Sequence, residues 1–257
     1  MAETGNHRKH LFSWENLATT DTAIAKRFYQ RLFGWEVTYI PTGDYGTHCF
    51  FTLDGKDICS FSEIPDFQRK HFSTQWVPYI SVENMEDLVH KAQNAGGTVL
   101  VPISPAVDAG QTAMIKDPTD AIFAIWRPRQ QDTDIHRSPP GAACFHELVT
   151  NNMDLAGMFY AQVFSWSPRA ENFGDIKYIM FNIGNVNVGS MMGVPKQNVH
   201  PRWITYWCVQ DCEKSLRKAI ALGGTPCNTV EIIKRKGRYA TLIDPLGALF
   251  GIMQPEK

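Results

Sequence analysis

Apolar and polar positions alternate from Phe12 to Thr19, the two-residue period of a strand with one covered face. Directly afterwards Ile24, Phe28, Tyr29 and Leu32 recur at helical spacing, which predicts a helix over Thr22–Phe33 with Asp21 as its cap and Gly34 as its stop. Glu36–Ile40, His48–Leu53 and Asp57–Ser62 read as three strands, the last two joined by the turn dipeptide Asp54-Gly55. The order then restarts with a strand over Val77–Val82 and a helix over Met85–Ala95 ended by Gly96-Gly97. Strands around Thr98–Val101, Thr112–Lys116 and Ala121–Trp126 follow. Strand, helix and three strands, βαβββ, are therefore written twice before residue 128.

The second half of the chain repeats the first. Phe28-Tyr29 and Phe33-Gly34-Trp35 recur as Phe159-Tyr160 and Phe164-Ser165-Trp166, 131 residues later. Trp76, Tyr79, Val82, Gly96-Gly97, Asp117-Pro118, Ala121 and Phe123 recur as Trp203, Tyr206, Val209, Gly223-Gly224, Asp244-Pro245, Ala248 and Phe250, each 127 residues later. A tandem duplication gives constant offsets of this kind, and the fold class follows as α+β with four βαβββ modules. The polar, proline-bearing stretch 129–141 reads as the linker between an N-terminal domain over 8–128 and a C-terminal domain over 142–257.

Composition narrows the class of function. The 257 residues are 44% hydrophobic and 20% charged, the profile of a globular chain with enough length for a sizeable core. Lys and Arg number 25 against 26 Asp and Glu, so there is no basic field to hold a phosphate backbone, and nucleic acid is not an expected partner. No apolar run reaches the length of a spanning helix, and the polar start lacks a signal peptide's apolar stretch. A cytoplasmic protein with no membrane partner is expected, as monomer or homodimer. Six cysteines without a C-x-x-C pair point to reduced thiols rather than a zinc knuckle or disulfide framework.

The doubled order of these motifs, ending each time in Asp-Pro-x-Gly-Ala-x-Phe or its close variant, resembles the vicinal oxygen chelate superfamily of glyoxalases, bleomycin-resistance proteins and extradiol dioxygenases. Within it the chain is most similar to tandem proteins whose first strand carries Trp-x-Glu-Leu-x-Thr. That signature stands here as Trp14-Glu15-Asn16-Leu17-Ala18-Thr19 and Phe145-His146-Glu147-Leu148-Val149-Thr150. The resemblance implies that two modules pair into an open curved sheet enclosing one cavity per half.

Enzymes of the superfamily chelate a divalent ion with a His or Gln on each first strand and a Glu seven positions after the Asp of Asp-Pro. Those glutamate positions are Ala124 and Gly251 in this chain. The first-strand positions fall at Trp14 and Phe145, with Val77 and Ile204 near the corresponding places in the second modules. None carries a donor atom, so neither a metal nor another cofactor is expected. A slip of one residue would put Glu15 and His146 at the ligand positions, but it would turn Trp14 and Leu17 to unexpected faces.

Alternation places Trp14, Asn16 and Ala18 on one strand face and Phe145, Glu147 and Val149 on its repeat, and the resemblance turns those faces to the cavity. Glu147 there is a candidate base or a holder of a cationic ligand. The structural alternative is a hydrogen-bonded or arginine-paired carboxylate. Tyr79 and Tyr206 are repeat equivalents whose hydroxyls need partners, from protein or ligand. Tyr178 joins the aromatic residues that either line a pocket or fill a core. Arg238, just before a strand, is placed by the resemblance at a cavity rim, where it could clamp an anion, whereas Lys234-Arg235-Lys236 reads as a solvated loop. His146 faces away from Glu147 and reads as a partly buried structural histidine. Cys208 lacks a visible activating neighbour and reads as an inert thiol.

Three functions compete. The first is metal-free binding of a small, partly apolar molecule, centred on the C-terminal half. The second is a lyase, isomerase or dioxygenase with a non-standard metal site, and the third is a protein-interaction module.

Overall fold

In a computed structural model, residues 9–41, 47–70, 72–106, 110–129, 139–173, 176–194, 200–233 and 236–256 are described. Most of the expected linker lies outside them. The first module runs β1 (Phe12–Thr19), α1 (Thr22–Phe33), β2 (Glu36–Pro41), β3 (Thr47–Leu53) and β4 (Lys56–Glu63). The second runs β5 (Gln75–Ser81), α2 (Met85–Asn94), β6 (Thr98–Ala106), β7 (Gly110–Lys116) and β8 (Ile122–Pro128). In the second half come β9 (Ala143–Thr150), α3 (Met153–Phe164), β10 (Ser167–Phe173), β11 (Ile176–Ile183) and β12 (Val186–Gly193). The last module holds β13 (Arg202–Cys208), α4 (Cys212–Ala221), β14 (Thr225–Pro226), β15 (Glu231–Ile233), β16 (Gly237–Ile243) and β17 (Leu249–Pro255). Four βαβββ modules stand as expected, except that β14 and β15 share the place β6 fills alone.

Local chemistry sets the helix ends. The Asp21 carboxylate accepts from the amides of Ala23 and Ile24 at 2.9 Å each, which satisfies two donors that the first turn leaves open. Gly34, at φ 80°, closes α1 in the left-handed conformation that a side chain resists, and its amide bonds to the Gln30 carbonyl. Asn84, Asn152 and Asp211 cap the other three helices in the same manner.

Each mixed sheet is drawn from one half. The first is ordered β2-β3-β4-β1-β5-β8-β7-β6, and the second β10-β11-β12-β9-β13-β17-β16-β14 with β15 on β16. Compact packing follows a different division. One unit consists of Met1–Trp14, Pro78–Thr133 and His146–Trp203, and the other of Glu15–Val77, Asp134–Phe145 and Ile204–Lys257. Each unit therefore takes one module from each half.

The recurrent motifs explain this exchange. In the first unit Tyr160 of α3 donates its hydroxyl proton to Asp117 Oδ2 at 3.0 Å and accepts from Trp203 Nε1 at 2.8 Å. Asp117 Oδ1 meanwhile accepts from the Thr119 amide, the Thr119 hydroxyl and the Ala121 amide at 2.7, 2.8 and 3.0 Å, which holds the Asp-Pro turn. In the second unit Tyr29 of α1 donates to Asp244 Oδ2 at 3.0 Å and accepts from Trp76 Nε1 at 2.9 Å. The Phe-Tyr motif of one half is thus bound to the Asp-Pro motif of the other, inside a core where all three groups are buried. Trp166 and Trp35 stack on Tyr160 and Tyr29 at 5.5 and 5.9 Å, completing two equivalent aromatic centres.

Candidate functional site

The candidate site residues divide between the two units. In the second unit, strands β13 and β17 run parallel with Tyr206 opposite Gly251, the position where the superfamily's glutamate would stand. A Cβ atom built on Gly251 would lie 2.1 Å from Tyr206 Cδ1, far inside contact distance. The Tyr206 ring therefore rests on bare backbone, and glycine is what permits it. Around that ring, Phe145 and Tyr239 each meet it near edge-on at 6.0 Å, with interplanar angles of 61° and 68°. The Tyr239 hydroxyl donates to Glu231 Oε2 at 2.6 Å, and Glu231 Oε1 accepts from Asn228 Nδ2 at 3.1 Å.

The equivalent place in the first unit pairs Tyr79 with Ala124 across β5 and β8. The Tyr79 hydroxyl is hydrogen-bonded to the Thr112 side chain, and burial pushes its phenol up to about 12. Of the two sources open to its partner, protein supplies it. Thr112 stands 127 residues before Tyr239, so the second half has an aromatic ring where the first has a small hydroxyl.

Glu147 belongs to the first unit and is buried, with its carboxylate accepting from the Ser190 hydroxyl at 3.3 Å. Strand register puts Ser190 directly opposite it, followed by Met180 and Arg169 on the next strands outward. One layer along, Val149, Met192 and Tyr178 share that face, and Tyr178 is also buried. The matching row in the second unit is Asn16, Ser60 and Phe50. Asn16 accepts from the Ser60 hydroxyl at 2.9 Å and donates to Ser62 Oγ at 3.1 Å. Trp14 is half-buried on β1.

Arg238 requires correction. It lies on β16 with the parity of Ala240 and Leu242, which pack into the helix-side core, and its guanidinium pairs with Glu213 of α4. Alternation therefore turns it away from Tyr239 and Tyr206, and it clamps nothing beside them. The slipped reading of the first strands also fails, because Glu15 shares the parity of Leu17, which packs among Phe28 and Tyr29. His146 is buried and stacks on Phe12 at 4.0 Å and 20°. Lys234 and Arg235 fall outside the described residues.

Cys208 is buried. The neighbouring Cys144 lowers the Cys208 thiol to about 7 and its own is raised, while the Cys144 S–H donates to the Tyr206 carbonyl oxygen at 3.4 Å. Neither Cys144 nor Tyr239 was singled out from sequence as a site residue. The signal that would have found Tyr239 is its repeat partner Thr112, and Cys144 is found only through a strand pairing.

Nothing at the superfamily's ligand positions fits a divalent cation. Trp14, Phe145, Ala124 and Gly251 supply no donor, and the Tyr206 ring occupies the space that a carboxylate at 251 would need. Among the described residues no three His, Cys, Asp or Glu side chains gather as a metal site.

Paired βαβββ modules in two mixed sheets define the architecture shared by glyoxalases and extradiol dioxygenases. The glyoxalase/bleomycin resistance protein/dioxygenase superfamily pattern matches residues 9–124, and the chain belongs to that superfamily. A putative glyoxylase, CFP32, of Mycobacterium tuberculosis is 31% identical over 99% of this chain and 98% of its own length. The anthracycline biosynthesis protein DnrV of Streptomyces peucetius is 28% identical over 94% of this chain and 92% of its own. Among solved structures, the 2,3-dioxygenase LapB from Pseudomonas sp. KL28 is similar in fold, with TM-score 0.65 and 11% identity over 98% of this chain and 94% of that one. Among the described residues no helix is long and apolar enough to cross a membrane.

Proposed function

We propose that the chain binds a small, partly aromatic molecule without a resident metal, on the surface formed by Phe145, Tyr206 and Tyr239. The observation that carries this reading is the Tyr206 ring lying over Gly251, where chemistry of the superfamily's usual kind would need a carboxylate. Three rings meeting near edge-on present the faces and edges that aromatic ligands stack against. A relative named for anthracycline biosynthesis supports a polycyclic aromatic ligand class. The name glyoxylase carried by the mycobacterial relative supports a second reading, an enzyme with a non-standard metal centre.

Titration of an anthracycline into chelator-treated protein, followed by quenching of tryptophan fluorescence, tests the proposal. Tyr206→Ala and Phe145→Ala are each expected to weaken binding at least about tenfold, roughly 1.4 kcal/mol. Unchanged affinity in both variants overturns it. So does a stoichiometric divalent metal that survives chelation and supports isomerisation of a hemithioacetal.

A further inference from the structure

The ring cluster of the C-terminal half has a polar edge that ring stacking alone does not use. Strand β15 pairs with β16 so that Glu231 stands directly opposite Tyr239, on the same face of the sheet. The Tyr239 hydroxyl donates to Glu231 Oε2 at 2.6 Å and its ring meets Tyr206 at 6.0 Å, so one side chain touches both the carboxylate and the ring cluster. On the other side Glu231 Oε1 accepts from Asn228 Nδ2 at 3.1 Å. That amide has one orientation open to it, because Asn228 Oδ1 accepts from the Thr241 amide at 2.7 Å and from the Thr241 hydroxyl at 2.8 Å. Both Glu231 oxygens are thereby held at the edge of the rings.

An ionised carboxylate offers roughly four acceptor sites, and the two donors leave about half of them open on an exposed side chain. Among the described residues no Lys, Arg or His pairs with Glu231. The first half shows what the same strands look like without this edge. There Ser104 stands opposite Thr112, as Glu231 does opposite Tyr239, and Val101 stands opposite Met114, in the places of Asn228 and Thr241. Carboxylate, ring and supporting amide occur together only where β14 and β15 replace the single strand β6. A lone surface carboxylate would be ordinary solvated charge, but this one adjoins the half-buried ring of Tyr239, and ring faces attract cations.

We propose that the ligand of this surface carries a protonated amine beside its aromatic part, and that Glu231 receives it. The inference rests on the aromatic-binding reading and adds to it the charge of the ligand. The ammonium donates to the open lone pairs of Glu231 and lies against the Tyr239 ring, while the aromatic part stacks on the ring cluster. An anionic ligand is repelled at the same edge, and a neutral one gains little from it. Tyr239 has two tasks, since its ring meets the ligand and its phenol fixes the carboxylate. Asn228 is a positioning residue that acts through Glu231.

The test uses the full chain and two probes, an anthracycline bearing an amino sugar and the same compound acetylated at that nitrogen, which removes the charge and keeps the rings. The wild-type chain is expected to bind the amine probe roughly fivefold more tightly than the acetylated one, with the preference shrinking as salt is raised. Glu231→Gln keeps an acceptor for Tyr239 at an exposed position, and it should bring the amine probe down to the affinity of the acetylated one. Glu213→Gln removes an exposed carboxylate that pairs with Arg238 on the other face, and it should leave the preference intact. Equal affinity of the two probes for the wild-type chain, or a preference that survives Glu231→Gln, overturns the inference and leaves the aromatic reading standing. If neither probe binds the wild-type chain, the aromatic reading falls and this inference falls with it.

Discussion

Replacing Tyr160 by Phe removes one oxygen from the middle of a buried chain of polar groups and changes little else in shape. Two interactions vanish together. Asp117 Oδ2 loses a donor at 3.0 Å, and Trp203 Nε1 loses its acceptor at 2.8 Å. Asp117, Tyr160 and Trp203 are all buried, so bulk water cannot replace the missing hydroxyl. The carboxylate keeps three donors on Oδ1, which holds its turn, but the lost bond to a charged group is worth about 1.5–3 kcal/mol. The unsatisfied indole N–H adds about 1–3 kcal/mol, for an expected loss of roughly 3–5 kcal/mol. Against a typical total of about 5–15 kcal/mol, this is a large fraction. Urea unfolding followed by tryptophan fluorescence measures it, as a midpoint shift of about 1–3 M at ordinary slopes. Tyr29→Phe should cost a similar amount in the other unit, since Asp244 and Trp76 stand in the same relation to it. A loss below about 1 kcal/mol in both variants would refute the claim that these trios lock the exchanged modules.

The same phenols govern behaviour in alkali. Desolvation first, then the adjacent Asp charge, hold Tyr29 and Tyr160 well above the ordinary 10.0, and burial holds Tyr79 at about 12. A raised folded-state value means that their stabilisation is complete below about pH 10 and is lost as pH rises beyond it. Ultraviolet absorbance of tyrosinate should therefore lag in the folded chain and appear together with unfolding. Gly251→Ala is expected to destabilise by about 1–3 kcal/mol through overpacking against Tyr206, and Tyr206→Ala in the same chain should relieve most of that cost, as a double-mutant cycle will show. Arg238→Ala should leave both ligand affinity and, to within about 1 kcal/mol, stability unchanged, because its pair with Glu213 is solvent-exposed. Tenfold weaker binding in that variant would restore Arg238 to the site.

Periodicity and repeat offsets made most elements legible in the sequence. The strand over Phe12–Thr19 and the helix over Thr22–Phe33 end where the alternation, Asp21 and Gly34 place them. The strand β6 extends to Ala106, beyond the expected Val101, because pairing with β7 through Gly110 carries it past its apolar run, with shifts of register on the way. Packing across the repeat was not legible. Nothing in a one-dimensional pattern says whether Tyr29 bonds to the Asp-Pro turn of its own half or of the other, since both halves carry the same motif. Arg238 was misplaced for a related reason: the resemblance gives a strand position, whereas the face depends on which neighbours reach the helix-side core. Cys144 and Tyr206 lie 62 residues apart, and only the pairing of β9 with β13 brings the Cys144 thiol to the Tyr206 carbonyl oxygen at 3.4 Å.

The duplication turns each half into a control for the other. Positions that are identical across it, such as Tyr29 and Tyr160, Trp35 and Trp166, Trp76 and Trp203, Asp117 and Asp244, lie in the two aromatic cores. Some positions differ, in the cores and outside them. Asn16 becomes Glu147, Ala124 becomes Gly251, Thr112 becomes Tyr239, and Ser13 and Ser81 become Cys144 and Cys208. Among them the second half gains a carboxylate at 147, a ring at 239 and, at 251, the bare backbone on which the Tyr206 ring rests. A shared core explains why both halves fold alike, and the proposed ligand site rests on one altered face of the second half, where the Tyr206 ring lies over Gly251, the position of the superfamily's glutamate.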